Sequence, residues 1–320
     1  MLFKNKNILI IGDVMLDSYL FGNVERISPE APVPIVDITN KENKLGGAAN
    51  VAANIKNLGG APILCSVIGN DKNGEIFLSL LKNNNISTDY ILQTNNRITT
   101  NKTRIIGNNH QMLRTDEEIK SELNITDQNN FSSMIDNAIS KKIDCILFQD
   151  YDKGVINDDI INKVSIIAHF SKIPILVDPK KKNFSNYKNI KLFKPNFKEF
   201  KEGLNLIGSD KEQLLEIGSK ILHERGIEIV FVTLSENGIF VSYKKDNKII
   251  NKIIPGTARK VVDVSGAGDT CISIISVLLG ELDIEKIAKI ANIAGGMACE
   301  EVGVVPINKE KLLEEYYERT

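Results

Sequence analysis

The run Asp-Val-Ser-Gly-Ala-Gly-Asp-Thr at 263–270 carries the clearest chemistry in the sequence. The small residues at 266–268 allow a tight turn that points successive backbone N–H groups one way, and the apolar run 271–279 predicts a buried helix. Such a turn at a helix N-terminus binds anions, because free amides and the helix dipole both favour negative charge. Asp269 beside that anion suits a general base, so the run indicates phosphoryl transfer. A plain turn with an aspartate N-cap is the alternative.

A second glycine motif, Leu-Gly-Gly-Ala-Ala-Asn at 45–50, opens a predicted helix. Its small residues let a ligand approach the backbone closely, and the amide of Asn50 both donates and accepts hydrogen bonds. With Asp13 and Asp17, which follow the first predicted strand, the motif has the groups needed to bind a polyol. Close packing of a helix against a strand explains the two glycines equally well.

Asn196 and Glu199 are three residues apart behind Pro195, so they share one side of a helical turn. An amide and a carboxylate so placed can hold the water shell of Mg²⁺ bound to nucleotide phosphates. The spacing is also that of an N-cap with glutamate at N3, which is the simpler interpretation of the pair alone. The segment 233–238 ends another predicted strand with hydroxyls and a glycine, and suits nucleotide phosphates or a plain turn.

Four cations lie in segments that can face the site: Arg104, Arg114, Lys153 and Lys180. A phosphorylated substrate favours such groups, since arginine and lysine are the side chains that recognise phosphate. Taken one at a time, each is more typical of solvated surface charge.

Bulk properties exclude several classes of protein. The 320 residues carry a formal net charge of −1, which indicates neither a nucleic-acid nor a membrane surface. Four cysteines without a CxxC pair predict reduced thiols, and three scattered histidines give no zinc site. No segment approaches transmembrane length, so we expect a soluble, cytoplasmic protein. There is no P-loop, and no GxGxxG motif follows the first strand, which argues against a dinucleotide-dependent oxidoreductase.

Short β-branched runs alternate with longer amphipathic stretches along most of the chain. The predicted strands are Ile8–Ile11, Ile63–Ile68, Cys145–Gln149, Ile175–Asp178, Lys191–Lys194 and Ile229–Thr233. The predicted helices are Ala48–Asn57, Gly74–Asn83, Ile156–His169 and Lys211–Glu224, with a terminal helix within Ile307–Thr320. This alternation predicts an α/β fold with a mostly parallel sheet covered on both faces. Ligands of such sheets bind at the carboxyl ends of the strands, where the polar motifs fall.

Two segments, about 15–44 and 91–115, do not follow the alternation. Both are extended and rich in β-formers, and we expect them to pair into a small sheet, or lid, over the site. An exposed sheet has unpaired edges, which self-pairing in a homodimer through the lid would satisfy. No linker-like break occurs, so residues 1–320 are expected to form a single domain.

Together these motifs resemble the PfkB family of sugar kinases, which have the ribokinase-like fold. The family's two signatures correspond to 46–50 and 263–270, and its Asn-x-x-Glu motif to 196–199. The resemblance runs from Ile8 to about Pro306, and three motifs in the expected order are far more specific than one. It implies an ATP- and Mg²⁺-dependent carbohydrate kinase, and leaves a monovalent-cation requirement open.

Within that family the chain most resembles the D-glycero-β-D-manno-heptose 7-phosphate kinases. The similar segments are 12–17, the proline-rich string 26–34, 103–104, 107–111, 113–116 and 151–154. The resemblance implies phosphorylation of the 1-hydroxyl to give the 1,7-bisphosphate, in ADP-heptose synthesis for the lipopolysaccharide core. The alternatives are another PfkB kinase, acting on ribose, fructose phosphate or a nucleoside, and a non-catalytic binding regulator.

The resemblance also implies a role for each matching residue. Asp269 is the expected general base, and the amides of Gly266, Ala267 and Gly268 are expected to stabilise the transferring phosphoryl group. Asn196 and Glu199 are expected to organise Mg²⁺ through water, and the ATP site to be lined by Thr233, Ser235, Gly238 and Asn292. The expected substrate-binding residues are Asp13, Asp17, Gly46, Gly47, Asn50, Arg104, Arg114 and Lys153.

Three features depart from the family pattern. Ser265 stands where threonine is common, which keeps the hydroxyl, and Asp152 stands where glycine is common, which adds a charge beside Lys153. Many relatives are fused to a nucleotidylyltransferase domain, and this chain ends before one would start.

Overall fold

The computed structural model describes Phe3 and residues 5–319, in which strands and helices alternate. The strands of these residues are β1 (Asn7–Gly12), β2 (Val14–Ile27), β3 (Pro34–Gly47), β4 (Ala61–Gly69), β5 (Ile91–Thr94), β6 (Asn101–Gly107), β7 (His110–Glu117), β8 (Cys145–Gln149), β9 (Ile175–Asp178), β10 (Leu192–Phe193), β11 (Ile229–Thr233), β12 (Ile239–Lys245) and β13 (Lys248–Ile254). The helices are α1 (Ala48–Asn57), α2 (Lys72–Asn83), α3 (Ile125–Ile139), α4 (Asp158–Ser171), α5 (Phe197–Gly203), α6 (Lys211–Glu224), α7 (Ala267–Leu278), α8 (Ile284–Ala298) and α9 (Lys309–Glu318), with a 3₁₀ turn at Ser235–Asn237.

A nine-stranded sheet in the order β13-β12-β11-β10-β9-β8-β1-β4-β5 forms the centre of the fold. Its strands from β11 to β5 run parallel, whereas β12 and β13 add an antiparallel hairpin at one edge. Strands such as β8 are buried along their whole length, because helices cover both faces. One hydrophobic cluster packs α1, α7 and α8 against the sheet, and a second packs α3, α4 and α6 on the other side.

Most predicted elements are confirmed within a few residues. The strands β8, β9 and β11 and the helices α1 and α6 have the predicted bounds, whereas the strand predicted at 191–194 is reduced to Leu192–Phe193. The apolar run after the glycine turn is helical from Ala267 to Leu278, and ten of those residues are buried. The terminal helix ends at Glu318, and Thr320 lies outside the described residues.

A separate four-stranded sheet, the small sheet, has the order β3-β2-β6-β7. It contains most of the two predicted lid segments, but the prediction for 91–115 is wrong at its start. Ile91–Thr94 is strand β5 and pairs in parallel with β4 of the central sheet, where burial of Ile91 and Thr94 holds it.

The chain enters and leaves the small sheet at four points, and all four lie at the same end of the sheet. Val14 pairs with Gly47, and two residues further along β2 the register joins Leu16 to Asn101, which is itself opposite Glu117. Asp13 alone separates β1 from β2, so this end of the small sheet sits directly on the carboxyl edge of the central sheet. None of the helices among the described residues combines the length and apolar character needed to cross a membrane.

Candidate active site

The carboxyl ends of β1, β8, β9 and β10 meet the N-terminus of α7 at one edge of the central sheet. Asp13, Asp150 and Lys194 directly follow three of these strands, and Asp178 ends the fourth. All four side chains are buried although they are charged residues. Because burial of charge is costly unless it is compensated, this edge is where the fold concentrates partners for ionised groups.

The turn before α7 depends on a backbone conformation that glycine adopts most easily. Gly266 has φ 81° and is the N-cap of α7. A Cβ there would lie 3.1 Å from Asn50 Nδ2, so a side chain would also press on the neighbouring helix. Asp263 fixes the turn by accepting hydrogen bonds from the N–H groups of Ser265 and Gly303, both at 2.9 Å. The first amides of α7 have no intrahelical acceptor and suit an anion, although the N–H of Ala267 also lies 3.4 Å from the carbonyl oxygen of Val264.

The carboxylate of Asp269 lies in the first turn of α7 and is only 3% exposed. Its Oδ1 accepts hydrogen bonds from Tyr151 Oη at 2.6 Å and Gln149 Nε2 at 3.0 Å, and its Oδ2 from Asn50 Nδ2 at 2.9 Å. Burial raises the pKa of Asp269 to about 6, although the donors from Tyr151 and Asn50 work in the opposite direction. A carboxyl with this pKa is ionised near neutrality and basic enough to accept a proton.

A buried ion pair stands beside this carboxylate. Lys194 Nζ lies 2.9 Å from Asp178 Oδ2, and Gln149 Nε2 donates to the same oxygen at 3.2 Å. Burial opposes the charged form of Lys194, but Asp178 outweighs it and the pKa of Lys194 is raised. A Cβ atom placed on Gly268 would lie 3.6 Å from Lys194 Nζ. A positive charge therefore lies against the first turn of α7.

Asp17 and Arg104 form a second buried ion pair, on the small sheet. Asp17 Oδ1 and Arg104 Nη1 are 2.5 Å apart, and the guanidinium lies 5.3 Å from the ring centroid of Tyr19. A Cβ on Gly46 would lie 2.1 Å from Asp17 Oδ2, so only glycine leaves space for this carboxylate. Gly47 and Asn50 follow directly, which brings the second glycine motif to the same edge as Asp269.

The other predicted substrate residues have different surroundings. Asp13 accepts hydrogen bonds from the backbone N–H groups of Tyr151, Lys153 and Val155, so its carboxylate holds the 151–155 loop. Lys153 Nζ lies 2.8 Å from Glu118 Oε2. Arg114 is opposite Arg104 in the register of β6 and β7, but its side chain is exposed and donates to Asp116 at 2.8 Å.

Asn196 and Glu199 form a capping box at the start of α5. Asn196 Oδ1 accepts from the Glu199 N–H and Glu199 Oε2 accepts from the Asn196 N–H, both at 2.9 Å. Glu199 Oε1 also pairs with Lys180 Nζ. Within the described ranges no cluster of three or more His, Cys, Asp or Glu side chains is arranged to bind a metal. The side-chain oxygens of the pair are thus engaged in the cap and in the contact with Lys180.

The four predicted ATP-site residues lie at the end of β11, in the turn that follows it and on α8. Thr233 ends β11 and forms a bridge with Asn196, which places the two predicted sites side by side. Ser235 and Gly238 bracket the 3₁₀ turn, with φ values of 56° and 92°. Asn292 Nδ2 donates to the carbonyl of Pro255 at 2.8 Å, so this side chain ties α8 to the segment that directly follows β13.

Sequence reasoning did not assign roles to Tyr151, Gln149, Asp178 and Lys194, which complete the surroundings of Asp269. No local spacing connects them, because they come from three different strand ends and meet only in the folded sheet. Their position directly at or after predicted strands was the available signal, and Asp178 and Lys194 did fall there.

Comparison with known families shows that this fold is that of a carbohydrate kinase. The sequence model of the pfkB family carbohydrate kinases matches residues 5–311, and the chain belongs to that family. Its fold is similar to phosphofructokinase-2 from Escherichia coli, with a TM-score of 0.78 and 19% identity over 98% of this chain and 99% of that one. It is also similar to Arabidopsis thaliana ribokinase in complex with ribose and ATP, with a TM-score of 0.71 and 18% identity, covering 98% and 99% of the two chains.

Curated relatives of higher identity share one name, bifunctional protein HldE. The relative from Methylobacillus flagellatus is 38% identical over 96% of this chain and 62% of its own length. That from Helicobacter hepaticus is 37% identical over 97% and 64%, and that from Aliarcobacter butzleri 38% over 98% and 65%. The chain thus spans a little under two thirds of the length of these relatives.

Proposed function

We propose that the chain is a kinase that transfers the γ-phosphoryl group of ATP to the 1-hydroxyl of D-glycero-β-D-manno-heptose 7-phosphate, giving the 1,7-bisphosphate. The observation that carries the proposal is the placement of Asp269, a buried carboxylate with a pKa raised by burial to about 6, in the first turn of α7. A pure binding protein has no use for a basic carboxylate beside an anion site.

In this mechanism Asp269 accepts the proton of the sugar hydroxyl as the oxygen attacks phosphorus. The bond between the C1 hydroxyl oxygen and the γ-phosphorus forms while the bond from that phosphorus to the β-phosphate oxygen breaks, and ADP leaves. The amides of Gly266, Ala267 and Gly268 at the start of α7 stabilise the charge on the transferring group. The ammonium of Lys194, held against this turn by Asp178, adds a positive charge there.

The sugar lies between the small sheet and α1 in this proposal. Asp17 and Asn50 supply acceptors and donors for its hydroxyls, and Gly46 and Gly47 let it approach the backbone. Arg104 and Arg114, opposite each other on β6 and β7, are proposed to face the 7-phosphate. Asp13 is proposed to shape this side of the site by holding the 151–155 loop through three backbone N–H groups, and Lys153 lies in that loop, paired with Glu118.

The nucleotide is proposed to lie across the ends of β10 and β11. Thr233, Ser235, Gly238 and Asn292 would line this region, and Asn196 and Glu199 beside it would hold the water shell of Mg²⁺. Bound Mg²⁺ would neutralise charge on the nucleotide phosphates. The assay below also tests whether turnover requires a monovalent cation such as K⁺.

The choice of heptose rests on sequence similarity. The proline-rich string 26–34, segments within 103–116 and the segment 151–154 resemble heptose 7-phosphate kinases, and the curated relatives are named bifunctional protein HldE. The string lies at the far tip of the small sheet, ten residues along β2 from Asp17, a distance of roughly 30 Å in an extended strand. It therefore supports the family assignment without contacting this chain's own sugar site.

We further propose a homodimer that forms through the small sheet, in the cytoplasm. The tip carries exposed apolar side chains, with Ile27 61% and Val33 52% exposed, and β7 is exposed along its length. A second copy would cover both. The four cysteines of the described residues are all free thiols, in keeping with a reducing compartment.

The test is a coupled ADP-release assay with Mg-ATP that compares heptose 7-phosphate with ribose, fructose 6-phosphate and adenosine, with and without K⁺. Turnover confined to heptose 7-phosphate is expected. Turnover on another acceptor would keep the Asp269 mechanism and reject the substrate. ATP binding without turnover on any acceptor would favour a regulator.

The matched variant is Asp269→Asn. It should retain ATP binding while turnover falls by roughly 10²–10⁴. Near-normal turnover would remove Asp269 from the role of base.

A further inference from the structure

Tyr151 has no role in the chemistry described above, yet three contacts fix it beside the reacting carboxylate. Its hydroxyl donates to Asp269 Oδ1 at 2.6 Å, and its backbone N–H donates to Asp13 Oδ2 at 2.8 Å. Its ring lies under Lys180 Nζ, 5.2 Å from the ring centroid. A side chain held in this way has little freedom to leave Asp269.

The two oxygens of Asp269 are used unequally. Oδ1 accepts from both Tyr151 Oη and Gln149 Nε2, whereas Oδ2 accepts from Asn50 Nδ2 among the residues that the structure describes. The orientation of the Gln149 amide is fixed, because its nitrogen faces two carboxylates, Asp178 and Asp269. A carboxylate oxygen has two acceptor positions, so Oδ1 is saturated and Oδ2 keeps one open.

We propose that Tyr151 is a positioning residue that, together with Gln149, saturates Oδ1 and leaves Oδ2 of Asp269 as the oxygen that removes the proton from the sugar. This inference rests on the proposed kinase function. It assigns the direction of attack, since the acceptor hydroxyl must approach on the Asn50 side of the carboxylate. It also gives Tyr151 an influence on when Asp269 is ionised.

Several charged groups face this pair from the surrounding elements. Asp178 of β9 raises the pKa of Asp269, and Lys194 after β10 lowers it. Lys180 and Asp17, from the loop after β9 and from β2, are also coupled to the pair. Against this background the phenol donates to the charged form of Asp269 and so stabilises it. Loss of the phenol hydroxyl should therefore raise the pKa of the carboxyl group.

The decisive experiment titrates Asp269 itself by carboxyl ¹³C NMR, in protein labelled at aspartate and assigned with Asp269→Asn. Tyr151→Phe should raise the measured pKa of Asp269 by about one unit, the size expected for loss of a hydrogen bond to a charged group. Tyr187→Phe is the matched control, because the Tyr187 hydroxyl donates to Asp150 Oδ2 at 3.1 Å. It should move the titration of Asp150 and leave that of Asp269 in place.

An unmoved Asp269 titration in Tyr151→Phe would overturn the proposal, as would an equal shift in both variants. Replacement of Tyr151 by 3-fluorotyrosine keeps the side chain and guards against a failure to fold. Its phenol is a stronger donor, so the pKa of Asp269 should fall, and a rise or no change would contradict the assignment.

Turnover provides the readout of positioning. In Tyr151→Phe the acidic limb of the pH profile of kcat/KM should shift with the measured pKa of Asp269. At pH values above that limb, kcat should fall about tenfold while KM for ATP is unchanged. A kcat equal to that of wild type above the limb would reject the positioning role. Absence of turnover in the wild-type protein would count against the kinase function, and the titration would still decide the hydrogen bond.

Discussion

Asn50 in α1 donates a hydrogen bond of 2.9 Å to Asp269 in α7, across 219 positions of the chain. Asn54 donates to Asn50 Oδ1 at 3.0 Å and so fixes which end of the Asn50 amide faces the carboxylate. The two glycine motifs of the sequence are thereby parts of one site. The residue proposed to contact the sugar also holds the proposed base.

The pKa of Asp269 predicts how activity depends on pH. Because the base must be ionised and burial raises its pKa to about 6, kcat/KM should be level above pH 7 and fall about tenfold per unit below pH 6. A pH profile with far-UV circular dichroism at each point would check this. An acidic limb near pH 4, the range of an unperturbed aspartate, would contradict the raised pKa of the base.

Two glycines with nearly the same φ give a matched test of the anion site. Gly266→Ala should strain the left-handed N-cap and push Asn50 away from Asp269, lowering turnover tenfold or more and stability by about 1–2 kcal/mol. Gly280→Ala has the same strain, with φ 84° and nothing within 4 Å of a Cβ, and should lose stability only. Equal turnover losses in both variants would contradict the prediction. Urea unfolding and ADP release measure the two effects.

The buried and exposed arginines of the small sheet should behave differently. Arg104→Ala leaves Asp17 without its partner, so it should cost about 3–5 kcal/mol in the free energy of unfolding and raise KM for the phosphorylated sugar. Arg114→Ala removes an exposed pair and should cost less than about 1 kcal/mol. Urea titrations and sugar saturation curves measure both. An unchanged KM in Arg104→Ala would restrict Arg104 to holding Asp17.

The role of Glu199 can be separated from helix capping. Glu199→Gln keeps an acceptor for the Asn196 N–H but removes the charge, so the Mg²⁺ concentration for half-maximal rate should rise about tenfold with little loss of stability. Glu212→Gln, in the first turn of α6, is the control and should leave the Mg²⁺ dependence unchanged. If Glu199→Gln also leaves it unchanged, the capping box is the whole function of the motif.

The sequence predicts the central sheet well, because its strands are short apolar runs between amphipathic helices. The hairpin of β12 and β13 was not predicted, since β13 is mostly exposed and carries no clear alternation. Strand β5 was assigned to the wrong sheet because its four residues resemble the extended segment that follows them, and only pairing with β4 places them. Tertiary contacts, which the sequence does not show, determine both the hairpin and the position of β5.

The residues of the candidate site likewise fall into those that the sequence predicts and those that only the fold brings together. Asp269, Asn50 and Asp17 belong to local motifs with recognisable glycine spacing, and the structure brings them to one edge. Tyr151 begins the segment 151–154 noted for its resemblance, but neither it nor Lys194 received a role from the sequence, since their partners come from separate strand ends that meet only in the fold. The capping box of Asn196 and Glu199 shows the converse, because one spacing satisfies two interpretations at once.

The small sheet is attached to the rest of the fold at one end only. All its chain connections lie near Val14 and Gly47, so a small rotation there is multiplied along β2 and is largest at Ile27. Asp17 and Arg104 lie close to the attached end, where such a rotation would displace them least. The proposed sugar contacts therefore lie near the attached end of the small sheet and the proposed contact with a second copy at its free tip, so substrate binding and assembly would make separate demands on the sheet.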